Sequence, residues 1–132
     1  MSTKTILIIE DSIPTIATYM QIIEAVGLDV ISLVAPTYEK AKRIMEAEQV
    51  DLIILDLILP DVVGTDVLEE LRRAFPIVPI LLVTGHPEQI DRQKAQQLGA
   101  SDLFIKPFRL EAFRNALDNS LQASPCGGPC PL

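Results

Sequence analysis

The sequence predicts an α/β domain built as a doubly wound, five-stranded parallel sheet. Three observations lead there: short aliphatic runs alternate with longer stretches of helical spacing, the runs are apolar on both faces, and the pattern fits a 132-residue chain of single-domain size. Strands that are apolar on both faces need helices on both sides, and right-handed crossovers wind such elements into a (βα)5 order.

Each element has its own justification. The run TILIIE at 5–10 reads as the first strand. Ser12 is placed to cap the following helix, with Pro14 in its first turn, Ile16, Met20 and Ile23 on its apolar stripe and Gly27 at its end. LDVISLV at 28–34 is the second strand; Thr37 then caps a helix carrying Glu39 near its positive end and Ala41, Ile44 and Met45 on its inner face. DLIILD at 51–56 is the third strand, Pro60 and Gly64 shape the loop after it, and Val67, Leu68, Leu71 and Phe75 mark the third helix. VPILLVT at 78–84 is the fourth strand. The helix expected in PEQIDRQKAQQLGA is the least firmly held, with Ile90, Ala95 and Leu98 as its apolar anchors and Gly99 at its end. DLFIK at 102–106 is the fifth strand, and Leu110, Phe113, Leu117 and Leu121 form the last stripe. Residues 1–121 thus read as one domain, and 122–132 as a flexible tail or linker remnant. That tail contains Cys126 and Cys130 in ASPCGGPCPL, without the His or further Cys that a zinc site requires.

Composition excludes several functional classes. The apolar runs are far shorter than the roughly 20 residues of a membrane span. MSTKTILIIED has no small-residue cleavage site after its short apolar stretch, so a cytoplasmic location is expected. A net charge of -7 opposes direct binding to nucleic acid or anionic lipid.

A carboxylate in the middle of DLIILDLILP needs a reason, because an ionised group carried unpaired into an apolar interior is costly. In a parallel sheet all strands end at one edge, and this sequence gathers Glu10 and Asp11, Asp56, Thr84 and Lys106 there. For the flavodoxin-like strand order 2-1-3-4-5 the winding reverses between strands one and three, which carry Asp11 and Asp56. Adjacent strands about 4.8 Å apart bring these carboxylates close, where they repel by roughly 4 kcal/mol at an effective dielectric near 20. A cation is needed. All-oxygen ligands without His or Cys select a hard one, and so few carboxylates suit Mg2+. Mg2+ beside a carboxylate, a hydroxyl and an ammonium group makes a site for a phosphoryl group, with Asp56 as nucleophile, Thr84 bonding one phosphoryl oxygen and Lys106 neutralising another.

IIEDS, LDLILPDVVG, VTG and GASDLFIKPF together resemble the receiver domain of two-component response regulators, of the chemotaxis-regulator type, over residues 4 to about 121. The resemblance implies that Asp56 takes a phosphoryl group from a histidine of a sensor kinase or histidine phosphotransfer protein. It further implies that Asp11, Asp56 and the backbone carbonyl of Ile58 ligate Mg2+ while Glu10 acts through a bound water, and that the Lys106–Pro107 peptide is cis. Output would pass through the face made by the fourth helix, fifth strand and fifth helix. On this reading the domain is a signalling phosphoacceptor rather than an enzyme, apart from its own Mg2+-dependent phosphorylation and dephosphorylation. Gly85 leaves room for the phosphoryl group, and His86 is an exposed loop residue with no catalytic role. One position departs from the family pattern: Leu103 stands where an aromatic residue usually couples Thr movement to output, with Phe104 on the opposite face of the strand.

Three other functions compete with this reading. A phosphatase of the haloacid dehalogenase type needs a second acid two residues after the nucleophile, where this chain has Ile58. A flavin carrier needs a glycine-bearing phosphate loop, and EDSIPT has no glycine. The remaining alternative is a pseudo-receiver that binds partners without phosphorylation; intact Glu10, Asp11, Asp56, Thr84 and Lys106 argue against it.

Overall fold

The five aliphatic runs form strands β1 (Lys4–Ile9), β2 (Val30–Ala35), β3 (Leu52–Asp56), β4 (Ile80–Thr84) and β5 (Asp102–Ile105). They alternate with helices α1 (Ile13–Val26), α2 (Tyr38–Ala47), α3 (Gly64–Ala74), α4 (Arg92–Leu98) and α5 (Leu110–Ala123). The structure is a computed structural model that describes residues 3–26 and 29–123. Gly27, the start of the expected second strand at Leu28, and Cys126 and Cys130 of the expected tail lie outside the described residues.

All strand pairs are parallel, in the order β2-β1-β3-β4-β5, as the sequence predicts. The alternation of side chains divides the interior into two layers. Leu7, Ile9, Ile53, Leu55, Leu82 and Leu103 pack with residues of α2, α3 and α4, while Ile6, Ile8, Leu52, Ile54, Leu81 and Val83 pack with residues of α1 and α5. Full burial of each such aliphatic chain contributes about 1.5–3 kcal/mol, which is what fixes the register.

Caps and turns set the element ends. The Thr37 hydroxyl accepts from Lys40 N–H at 3.1 Å, as expected of a cap. Gly99 closes α4 with φ 113°, and its N–H donates to both Ala95 O and Gln96 O. Ser12 differs from expectation: its carbonyl accepts from Ile16 N–H, but its hydroxyl accepts from the Thr15 hydroxyl at 3.1 Å. α4 is shorter than the apolar spacing suggests, because Asp91 caps it and leaves Ile90 in the preceding loop; within the helix Ala95 is the buried residue. Both β1 and β5 end one residue earlier than expected, so Glu10 and Lys106 stand just beyond their strands.

Gly64 supports the loop after β3. A Cβ there would lie 1.9 Å from the Leu57 carbonyl oxygen, so the loop and the start of α3 approach as only glycine allows. Gly64→Ala is therefore expected to destabilise the fold by about 3 kcal/mol, the upper range for overpacking, since the obstacle is backbone. A lowered denaturant midpoint at unchanged slope would report it.

Candidate functional site

The strand register builds the site. Ile9 is level with Leu55, so the next residues, Glu10 and Asp56, fall side by side at the carboxyl edge. Asp56 is level with Val83 and Thr84 with Ile105, so Thr84 and then Lys106 follow in diagonal steps across β4 and β5. Lys106 N–H donates to Thr84 O at 2.7 Å and ties the two strand ends. The Lys106–Pro107 peptide is cis.

Glu10, Asp11 and Asp56 each offer one carboxylate oxygen within 4.8 Å of the others. Glu10 and Asp56 are buried, whereas Asp11 is exposed. The Lys106 ammonium lies between the two buried carboxylates, 3.2 Å from Glu10 Oε1 and 3.1 Å from Asp56 Oδ2. Asp56 is thus both at the edge of the core and compensated.

Each oxygen has a defined role in this state. Glu10 Oε2 accepts from Asp11 N–H and Ser12 N–H, both at 3.1 Å, which turns the chain out of β1 and sets Asp11 at the rim. Asp56 Oδ1 accepts from Ile58 N–H at 2.8 Å. A carboxylate oxygen has two lone-pair sites, so both oxygens of Asp56 retain acceptor capacity. Burial, followed by the hydrogen bond and charge of Asp56, raises the Glu10 pKa to about 7 against the smaller opposing effects of Ser12 and Lys106. Burial pulls the Lys106 ammonium downward, but its hydrogen bond to Asp56 and the charges of Asp56 and Glu10 outweigh this and leave it raised.

Thr84 is fully buried, and its hydroxyl oxygen accepts from His86 N–H at 2.9 Å. A Cβ built on Gly85 would meet nothing within 4 Å, so the site opens beside Thr84. His86 is exposed and its ring Nδ1 faces Glu88 Oε1 at 3.1 Å. Ile58 projects outward with 43% exposure, while Leu57 and Leu59 on either side are buried. The structure therefore brings Glu10, Asp11, Asp56, Thr84 and Lys106 to one edge, with Ile58, Gly85 and Pro107 on its rim.

Leu103 is buried in the layer of α2, α3 and α4, opposite the layer that holds Tyr19, Phe108 and Phe113. Phe104 points into the opposite layer and meets Phe108 and Phe113 edge-on, while Tyr19 stacks on Phe108 and Phe113. The Tyr19 hydroxyl is buried without a hydrogen-bond partner, and burial together with the Glu10 and Asp56 charges holds it well above the usual phenol range. A surface groove between α1 and α5, lined in part by Thr18, Ile22, Leu110 and Arg114, holds none of the site residues.

One contact was not anticipated by sequence reasoning. The Asp61 carboxylate reaches from the β3–α3 loop to the start of α2, with Oδ1 accepting from Tyr38 N–H at 3.1 Å and Oδ2 from Glu39 N–H at 3.2 Å. The partners are 23 and 22 residues away in sequence, so local spacing gave no signal.

The fold and site define a doubly wound α/β domain with an acidic centre at the switch point of its sheet. The chain belongs to the response regulator receiver domain family of two-component signalling, which it matches over residues 6–118. It is similar to the alkaline phosphatase synthesis transcriptional regulatory protein PhoP of Bacillus subtilis, 36% identical over 105 residues, covering 80% of this chain and 43% of PhoP. It is also similar to the luminescence regulatory protein LuxO of Vibrio campbellii, 32% identical over 114 residues, covering 86% of this chain and 25% of LuxO. The chain thus spans less than half the length of these curated relatives. Among solved structures, the receiver domain of the TMAO respiratory system response regulator TorR aligns with TM-score 0.80 and 32% identity, covering 91% of this chain and 98% of that one. A receiver domain protein from Methanospirillum hungatei aligns with TM-score 0.77 and 26% identity, covering 92% and 96%. Among the described residues, no helix is long and apolar enough to cross a membrane.

Proposed function

We propose that Asp56 accepts a phosphoryl group from a phosphohistidine of a sensor kinase or histidine phosphotransfer protein, in the cytoplasm, and that the phosphorylated domain passes a signal to a downstream protein or effector domain. Residues 1–121 would form the signalling unit and residues 122–132 a tail or linker remnant. The observation that carries this reading is the Lys106 ammonium held between Glu10 and Asp56 in a cluster of three carboxylates within 4.8 Å. One ammonium faces two buried carboxylates beside a third, and the all-oxygen donor set fits Mg2+. Asp11, Asp56 and the Ile58 carbonyl would hold the ion directly and Glu10 through water. When bound, Mg2+ would draw together the carboxylates and phosphoryl oxygens and offset their charge.

The chain's own residues supply the rest. An Asp56 carboxylate oxygen attacks phosphorus as the P–N bond to the donor imidazole breaks, and the imidazole leaves as its nitrogen takes up a proton. The Asp56 carboxylate is oriented for this by the Ile58 N–H on one oxygen and the Lys106 ammonium on the other. Lys106 then turns from the carboxylates toward a phosphoryl oxygen, and the Thr84 hydroxyl donates to another. With Leu103 lacking a ring, the change passed to α4 and β5 is graded and local.

Phosphoramidate, a small donor with a P–N bond, tests transfer. Intact mass should show one added phosphoryl group with Mg2+ and none with a chelator. Absence of the adduct with Mg2+ and with a phosphorylated histidine phosphotransfer domain as donor would favour the pseudo-receiver.

A further inference from the structure

The loop between β3 and α3 carries the one main-chain oxygen assigned to the metal, that of Ile58, and its geometry is held from two sides. Leu57 and Leu59 are buried in the layer of α2, α3 and α4, and Ile58 bridges Val63 in antiparallel pairing. That bridge closes a short turn. Asp61 stands inside the turn, three residues from Ile58, and its carboxylate spans two main-chain donors of α2.

The first turn of a helix leaves N–H groups without partners inside the helix. In α2 the Thr37 hydroxyl takes Lys40 N–H, the ordinary capping contact. Tyr38 N–H and Glu39 N–H are left, and Asp61 takes both, one with each oxygen. A charged acceptor at the positive end of a helix makes stronger bonds than a neutral one. The contact therefore fixes the turn as well as the helix: with both oxygens engaged, the Asp61 side chain has one orientation, and the loop backbone is tied to α2.

We propose that Asp61 is a positioning residue for the metal centre, a clamp that fixes the β3–α3 loop against α2 and so places the Ile58 carbonyl for the ion. The proposal rests on the metal-dependent reading of Asp56. Asp61 is exposed and touches neither the ion nor the phosphoryl group; it acts through the loop. Leu57 and Leu59 hold the base of the same loop, and the question for experiment is whether they suffice without the clamp.

Calorimetric titration of the unphosphorylated full chain with Mg2+ alone answers it, using Asp61→Ala, Asp61→Asn and Thr37→Ala. Asp61→Ala removes both acceptors, and its Mg2+ affinity should fall by about tenfold, the low end for groups that orient a metal ligand. Asp61→Asn keeps one acceptor oxygen and should lie between. Thr37→Ala weakens the same helix end without touching the loop and should keep the wild-type affinity. Amide exchange supplies a readout independent of metal and of activity: Asp61→Ala should speed exchange at Tyr38 and Glu39, and also at Ile58, whose N–H bonds Asp56. Equal Mg2+ affinity in Asp61→Ala and Thr37→Ala would overturn the proposal, as would unchanged exchange at Ile58. A wild type that binds Mg2+ but takes no phosphoryl group would instead reject phosphoacceptance, with the clamp still decided by the titration.

Discussion

Asp56→Asn is expected to abolish phosphorylation and, in the absence of metal, to raise the melting temperature. The amide is nearly isosteric and keeps an oxygen for the Ile58 N–H, while its NH2 group can donate to Glu10 where two carboxylates now face each other. At a pH above about 7, where Glu10 is mostly ionised, two like charges 4.8 Å apart, the limit of the observed cluster, repel by roughly 3 kcal/mol at an effective dielectric near 20. Lys106 already offsets part of this repulsion and loses a charged partner in the variant, so a net gain of about 1 kcal/mol is expected, or roughly 2–6 °C for a domain of this size. The Glu10 carboxyl should return toward its ordinary range, since Asp56 supplies the hydrogen bond and charge that follow burial among the causes of its shift. Added Mg2+ should narrow the gap, because it stabilises the wild type more. A variant that melts below wild type in chelator would show that Lys106 neutralises the pair completely.

Lys106→Ala has the opposite signature. Without metal, Lys106 is the cation between Glu10 and Asp56, and its loss leaves two buried carboxylates facing one another. Removing one member of a fully buried pair costs about 3–5 kcal/mol. The Lys106 side chain is 29% exposed, and solvent screening lowers the expected loss to about 1–2 kcal/mol. Mg2+ should restore much of that stability. The ammonium also competes with the ion for the same oxygens, so the variant should bind Mg2+ several-fold more tightly, since about 1.4 kcal/mol corresponds to tenfold. Phosphorylation should persist, while the change in amide protection over residues 84–98 expected to accompany it in wild type should be lost. Weaker Mg2+ binding in Lys106→Ala would mean that the lysine helps to organise the centre rather than compete for it.

These two effects depend on contacts whose legibility in the sequence was unequal. The strands were readable because their aliphatic runs are apolar on both faces, and the placement of Asp56 followed from the rule that parallel strands end together. The opposed directions of Leu103 and Phe104 followed from strand alternation. Lys106 reaches residues 96 and 50 positions away, and its place was readable only through the topology. No pattern foretold Asp61, because a carboxylate after Pro60 is ordinary in a loop and its partners are main-chain N–H groups, which any residue but proline supplies. The Tyr19 hydroxyl escaped similarly: Tyr19 is one turn from Ile16 and Ile23 and reads as core, with nothing in the spacing to show its phenol buried without a partner. The start of α4 is hidden in the sequence because Ile90 is as buried as a helical anchor, and the Asp91 cap beside it decides the boundary.

Chemical trapping of the acyl phosphate decides whether Asp56 is the phosphoacceptor and requires Mg2+. The protein is treated with phosphoramidate in Mg2+ or chelator, reduced with borohydride, which converts a phosphorylated aspartate to homoserine, and digested for mass spectrometry. Homoserine is expected at position 56 in the Mg2+ sample alone. Homoserine at position 11, phosphate recovered on His86, or equal modification of Asp56 in chelator would contradict it.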